Sequence, residues 1–356
     1  MKVLFLTKYS LIGASSRMRT IQYIPYFTKH GLECNVQYFL SDSYIKSLQI
    51  GHKNFLEAIK GYWRRTISMF SANQYDLLWI EKDLFPWIPA FFEKILLSKK
   101  IPYILDYDDA VFHHYDMNKK AVIKIIFGNK HKAIMKNASV VIAGNEYIAD
   151  YARKANAKSV DIVPTAVDLG KYSIPDNKFN SLKNKKNIIG WIGQRSTAQF
   201  LFQLGDLIKN IAKDNLASFS AIGIEPSFCH LPINCIPWSS ETEASELSSF
   251  DIGIMPLTDG PFERGKCGYK LIQYMACGLP VVASPVGVNT RIVEHGVNGF
   301  LAESQDEWDH AFRTLIANPE LRIQMGMAGR KKVEREYCLQ VTAPRLLQII
   351  IDTIRK

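Results

Sequence analysis

GKCGYKLIQYMACGLPVVASPVG, residues Gly265 to Gly287, decides how this chain is read. It divides into loop, helix, turn, strand and turn. Gly265 and Gly268 open it. From Tyr269 to Cys277 the apolar residues keep helical spacing, with Tyr269, Ile272 and Ala276 on one face and Lys270 and Gln273 on another. Gly278 suits a helix stop, and Pro280 follows it. Pro280 to Ala283 then reads as a short buried strand, closed by Ser284-Pro285 and Gly287. A glycine-rich loop feeding a helix leaves unpaired backbone N–H groups facing one point, which suits a phosphate. Lys266 and Lys270 could add charge there. The same pattern also describes an ordinary helix–strand unit of a parallel sheet, with both lysines in solvent.

Around this stretch lies a chain of 356 residues, a length that suits two domains better than one. A hydrophobic fraction of 47% supports real cores. Cys34, Cys229, Cys235, Cys267, Cys277 and Cys338 lack metal-type spacing, so buried thiols in a reducing compartment are expected. No run is long enough to span a bilayer, and the short apolar start Val3–Leu6 reads as a first strand rather than a signal peptide. The expectation is a cytoplasmic protein, with the inner face of the cytoplasmic membrane as a further possibility. The net charge is +10, and residues 1–180 hold 25 Lys and Arg against 16 Asp and Glu. Such an excess favours an anionic partner. No zinc finger or RNP-type strand accompanies it, so nucleic acid is not expected.

In chain order, Val3 to Thr7 is a strand and Lys8 to Arg19 the loop after it, with helix from Ile21. Gly13, Ser15 and Ser16 offer small residues and hydroxyls there, and Arg17 and Arg19 offer charge. This makes an acceptor cradle at a strand's carboxyl end, where open α/β sheets place ligands, or simply a capped helix with surface arginines. Phe55 to Phe70 is a helix carrying Trp63, Arg64 and Arg65, suited either to a core or to contact with an anionic membrane. The strand Tyr103–Leu105 runs into Asp106, Asp108 and Asp109, with His113 and His114 soon after. Clustered carboxylates at a strand end bind something or cap a helix. Asn118 to Asn137 reads as one lysine-rich helix. Residues 173–187, with Pro175 and many Asn and Lys, read as a linker. Asn187 to Gly193 starts the second domain, and Gln194 and Arg195 open its first helix.

The stretch Tyr274-Met275-Ala276-Cys277-Gly278-Leu279-Pro280 closely resembles the donor-site motif of retaining glycosyltransferases of family 4. Asn298-Gly299-Phe300-Leu301 resembles that family's Gly-Phe-Leu hairpin, and Ile162 to Asp168 its Ile-Pro-Asn-Gly-Val-Asp turn. The upstream half departs. Where the family has two glutamates eight positions apart, this chain has Gly265 and Gln273, with Glu263 the nearest acid. The resemblance covers residues 140–340 strongly and the first 140 weakly.

It implies an α/β protein of GT-B fold, two doubly wound Rossmann-like domains facing across a cleft. The first, 1–172, would bind the acceptor. The second, 188–338, would bind the donor, and a helix at 339–356 would cross back. The activity implied is retaining glycosyl transfer from a nucleotide-diphosphate sugar, without cofactor or metal, to a glycan or lipid-linked acceptor. A sugar-nucleotide epimerase and a non-catalytic donor-binding partner are the alternatives. Donor contacts would come from Gly193, Gln194, Arg195, Trp238, Glu263, Lys266, Gly268, Tyr269, Lys270 and Gln273. Acceptor contacts would come from Gly13, Ser15, Ser16, Arg17 and Arg19. Asp108 and Asp109 would serve the acceptor side of the chemistry, and Arg195 and Lys270 the leaving diphosphate. Asp106-Tyr107-Asp108 also spells the Asp-x-Asp pattern of metal-dependent enzymes of the GT-A fold, a reading the family 4 resemblance opposes.

Overall fold

The structure, a computed structural model, describes residues 1–49, 54–97, 101–174 and 186–356. Most of the expected linker at 173–187 lies outside those residues. The chain forms two compact units, one of Met1–Thr165, Arg264–Cys267 and Thr342–Lys356, the other of Ala166–Glu263 and Gly268–Val341. The first stretch of the first unit runs to Thr165, and Val167 already bridges to Cys338 inside the second.

The first unit holds a six-stranded sheet ordered β2-β1-β3-β4-β5-β6. Its strands are β1 (Lys2–Tyr9), β2 (Glu33–Leu40), β3 (Leu77–Glu81), β4 (Tyr103–Tyr107), β5 (Val140–Ala143) and β6 (Val160–Ile162). All neighbours pair in parallel. Val3 to Leu6 are all buried, as a parallel strand covered on both faces must be. The second unit repeats the plan with β7 (Asn187–Ile192), β8 (Ala217–Ile222), β9 (Ile233–Ile236), β10 (Ile252–Met255), β11 (Val281–Ala283) and β12 (Gly299–Leu301), ordered β12-β11-β10-β7-β8-β9 and again parallel. Alternation along β7 sends Ile189 and Trp191 into one core and Ile192 into the other. In each sheet the strand order reverses beside the first strand, between β1 and β3 and between β7 and β10. Open α/β sheets place ligands at such switch points.

The opening motif folds as its pattern requires. Tyr269–Ala276 is a helix that ends in a Schellman turn. Leu279 N donates to Tyr274 O at 3.0 Å, Gly278 N donates to Met275 O at 2.9 Å, and Gly278 has φ +68°. Tyr274 clamps the helix to the sheet, accepting from Ile192 N at 2.9 Å and donating to Ile254 O at 3.2 Å. Its ring sits over Gly253, where a Cβ would lie 2.3 Å from it.

Three elements differ from expectation. Ala14–Arg19 is already helical, with Gly13 as its N-cap. The lysine-rich segment is two helices, Ala121–Phe127 and Lys130–Asn137, because Gly128 and Asn129 interrupt it and Asn129 N-caps the second. Gly299–Leu301 is a parallel edge strand rather than a hairpin arm, entered by a turn in which Gly296 N donates to Gly299 O at 2.9 Å. The terminal helix, Leu339–Arg355, joins the first unit from Thr342. There Thr342 Oγ1 lies 2.9 Å from Tyr23 Oη, and Arg345 lies 3.7 Å from Asp161.

Candidate functional site

Each unit gathers chemistry at its switch point. In the first, β1, β3 and β4 end in charge, and the charges meet in pairs. Arg19 is buried and grips buried Asp106, its Nε 3.1 Å from Oδ2, and it also donates to Val163 O at 2.8 Å. Its donors are thus spent inside the fold, and Arg19 is not an acceptor contact. Ser16 is fully buried and donates to Glu81 while accepting from Tyr9 N at 2.9 Å. Gly13 is a packing glycine, since a Cβ there would lie 2.2 Å from Tyr9 Cβ. The cradle read from the sequence is largely the buried root of the 14–19 helix. Ser15 donates to Glu81 at 2.8 Å and accepts from Lys82 at 3.0 Å, and Arg17 is half-buried on the same helix.

Lys82 joins these groups to the aspartates. It has φ +67°, unusual for a lysine, and its N–H donates to Asp106 O at 2.9 Å. Its ammonium lies 2.9 Å from Asp108 Oδ1. Burial opposes ionisation of Asp108, but Lys82 outweighs it and holds the carboxyl down at about 2. Asp109 goes the other way, pushed up to about 6 by burial and by the neighbouring Asp108. Asp106 and Asp108 are thus each held by a side-chain cation, an arrangement unlike a metal-binding Asp-x-Asp. Among the described residues no group of His, Cys, Asp and Glu could hold a metal. His113 is structural, bonded at 2.8 Å to both Asp116 and Tyr147. His114 instead lines a cavity of about 250 Å³ with Lys8, Asp83, Trp87 and Tyr115. Burial, then Lys8, Lys82 and Lys266, depress its pKa.

The loop Arg264–Cys267 belongs to this first unit. Asn145 Nδ2 donates to Gly265 O at 2.8 Å and to Lys266 O at 3.0 Å. Cys267 Sγ donates to Asp108 O at 2.7 Å and fills the space that a Cβ on Gly144 would need, 2.2 Å away. Lys266 acts electrostatically on Asp109 and His114, so the structure groups it with the first unit's charges and not with Lys270.

In the second unit the site is less charged. Gly268, φ +63°, N-caps the 269–276 helix. One residue into the helix, Lys270 places its ammonium 4.1 Å from the centre of the Trp191 ring. Gly193 follows β7 directly, and a Cβ there would lie 2.2 Å from Trp191 and 2.7 Å from Lys270 Nζ. Gln194 and Thr197 form a reciprocal cap, and exposed Arg195 stacks on Phe228 with its guanidinium carbon 4.4 Å from the ring centre. Glu263 is half-buried just ahead of the loop.

Gln273 is buried, and its amide nitrogen donates to Tyr172 Oη and Glu243 Oε1, both at 2.9 Å. Glu243 also accepts from Tyr172 at 3.0 Å and from Trp238 Nε1 at 2.6 Å. Burial and then Tyr269 raise the Tyr172 hydroxyl, which places Tyr269 at the edge of the same network. Trp238, Tyr269 and Gln273 therefore do come together, around a carboxylate the sequence reading missed. Lys82, Glu81, Trp191 and Tyr172 were missed as well. Glu81-Lys82-Asp83 after the apolar run Leu77–Ile80 repeats the signal that singled out Asp106 to Asp109, and could have found two of them.

Comparison with known proteins agrees with this architecture. Residues 219–318 match the family described as Glycosyl transferases group 1. The D-inositol 3-phosphate glycosyltransferase of Pseudarthrobacter chlorophenolicus is 32% identical over 95 residues, covering 26% of this chain and 21% of that protein. The chain thus matches about a fifth of that relative's length. Two solved structures align along nearly the whole chain. HepE of Anabaena, in complex with UDP and glucose, gives a TM-score of 0.74 at 15% identity over 99% of this chain and 100% of its own. WaaG, described as a glycosyltransferase involved in lipopolysaccharide biosynthesis, gives 0.71 at 12% over 98% and 99%. Both likenesses establish the GT-B fold.

Proposed function

We propose that this chain, a member of the group 1 glycosyltransferases, moves a sugar from a nucleotide-diphosphate sugar to a hydroxyl acceptor with retention at the anomeric carbon. The observation that carries this reading is the switch point of the second sheet. Lys270 rests on Trp191 beside Gly193, one residue inside a helix whose N-terminus is capped by left-handed Gly268. The leaving diphosphate gains negative charge as the glycosidic bond breaks. A cation and a helix N-terminus at one place are suited to neutralise it. Arg195 is assigned to the same diphosphate, and Gln273 to the donor ribose.

In the proposed step the acceptor oxygen bonds to the anomeric carbon as the bond from that carbon to phosphate breaks. The acceptor proton passes to the departing phosphate oxygen. The protein then contributes position and charge, with Asp108 and Asp109 on the acceptor side. HepE was solved with UDP, so UDP-sugars are the first donors to try. The first unit's cavity, with Lys8 and His114 in its wall, suits an acceptor bearing phosphate, such as a lipid-linked intermediate of surface-glycan assembly.

The test is thermal stabilisation by UDP-, GDP- and dTDP-glucose, since a ligand that binds only the native state raises its stability by mass action. It is followed by NMR of the anomeric proton after transfer, with and without a chelator. One donor is expected to raise Tm, and the product should keep the donor's configuration whether or not chelator is present. No stabilisation by any nucleotide sugar overturns the reading. An epimerised donor formed without acceptor replaces it with the epimerase.

A further inference from the structure

We infer that the helical face of the first unit formed around Phe55–Phe70 docks on an anionic lipid surface. That helix is turned inside out. Its inward side carries Ala58, Gly61, Arg65 and Met69. Gly61 lets the backbone settle onto β2, where a Cβ would lie 2.4 Å from Phe39 O. Arg65 points into the protein and donates to Thr7 O at 2.6 Å and Leu84 O at 3.2 Å. Arg64 is also turned back, over the Tyr38 ring at 4.4 Å. Facing water, beside Leu56 and Lys60, are Phe55, Ile59, Trp63, Ile67 and Phe70, a stripe at helical spacing, with Trp63 70% exposed. Water-soluble helices place such a stripe inward. The basic pair expected from sequence to meet a membrane is therefore spent within the fold, and the large apolar side chains stand in its place.

Neighbouring elements continue the face. Tyr62 donates to the carbonyl of Pro86, and Trp87 N donates to Tyr115 Oη at 3.3 Å. The Tyr115 ring packs 5.5 Å from Phe127. These contacts tie the 55–70 helix, through Pro86 and Trp87, to the 121–127 helix, where Ile125 is 82% exposed, and the Ala90–Leu97 helix that follows Trp87 in the chain exposes Phe91 and Ile95. The charge on these additions is positive. Lys119, Lys120 and Lys124 are exposed, and no acid lies between Asn118 and Phe127. Beside exposed Lys94, Glu93 is buried against Lys130 at 2.9 Å. Apolar side chains flanked by cations fit an anionic bilayer, where the former enter the acyl boundary and the latter meet headgroups. A second copy on the same face would set these lysines against their own equivalents.

The inference does not depend on which sugar is moved, and it is read without substrate. The full chain is sedimented with vesicles of phosphatidylcholine alone or mixed with phosphatidylglycerol, at low and high salt. Binding is expected only with phosphatidylglycerol, and it should fade with salt. An Ile59→Ser/Trp63→Ser variant should lower the bound fraction about tenfold while keeping the wild-type Tm and its shift with nucleotide. Acyl-brominated lipid should quench tryptophan emission in the wild type and less in Trp63→Phe. No binding to anionic vesicles at low salt overturns the inference, as does equal binding by the double variant. A wild-type dimer that Trp63→Ser dissolves would show instead that the face meets protein.

Discussion

The two switch points are built from the same topology and charged in opposite ways. At the end of the first sheet, charges are taken out of water in matched pairs, Arg19 with Asp106 and Lys82 with Asp108. At the end of the second, a lysine lies on an aromatic ring, and one buried carboxylate is wrapped by three neutral donors. A buried ion pair holds its own structure and is costly to break on one side only. On the proposed reading, a cation resting on tryptophan beside Gly193 serves the leaving diphosphate. The two ends should therefore fail differently, one in folding and the other in turnover.

The sharpest break should come from Arg19→Ala. It leaves Asp106 buried without its cation, and a loss of about 3–5 kcal/mol is expected. Urea denaturation measures it. Donor affinity, read on the folded fraction, should not move; a well-folded variant with weakened donor binding would reverse the assignment. Next in size is Lys270→Ala, expected to lower kcat about a hundredfold, a magnitude typical of removing one transition-state charge contact. Affinity for the uncharged nucleoside should change little. Wild-type turnover at saturating donor would place the diphosphate elsewhere.

A smaller effect is expected in the Gln273 network. Gln273→Ala should weaken UDP binding by about 1–2 kcal/mol. Because Glu243 orients the Gln273 amide, Glu243→Ala combined with it should be non-additive by about 0.5–2 kcal/mol. Titration calorimetry of the four proteins gives the cycle, and strict additivity would mean that the two act separately. An effect of similar size, on stability and not on binding, belongs to Asp109. Its native pKa, about 6, lies above the ordinary carboxylate value, so the native state holds a proton that the unfolded chain releases. The stabilisation is full below about pH 4 and is lost as pH rises through 6, about 1–2 kcal/mol after allowance for its partial exposure. Asp109→Asn should flatten stability across that window, and an unchanged slope would assign the loss to another group.

The legible parts of the molecule were those fixed by neighbours in sequence. The run Tyr269–Ala276 with Gly278 carries its own period and its own stop, so helix, glycine stop and strand were all readable. The aspartate cluster showed itself because acids directly after an apolar strand need a reason. What met those acids was not readable. Lys82 and Asp108 come together only when β3 and β4 pair, and Glu243 reaches Gln273 across thirty residues of unrelated loop and strand. The 14–19 helix looked like loop because Gly13-Ala14-Ser15-Ser16 is poor helix sequence. It forms because Ser15 and Ser16 anchor it to Glu81, a contact made only in the folded sheet. The inside-out helix was the hardest to read, since its stripe has the right period and only Gly61 hints at which side faces in.

The contact between Gly144 and Cys267 constrains how this sequence can drift. A methyl group at position 144 would fall 2.2 Å from the Cys267 sulfur, so Gly144→Ala is blocked while Cys267 stands. Cys267→Ala removes the obstacle at the cost of a small void, and Gly144→Ala can then fill part of it. The double change is therefore open along one order of substitution and closed along the other. Positions 144 and 267 behave as a ratchet, in which the harmless step in one background is the forbidden step in the other.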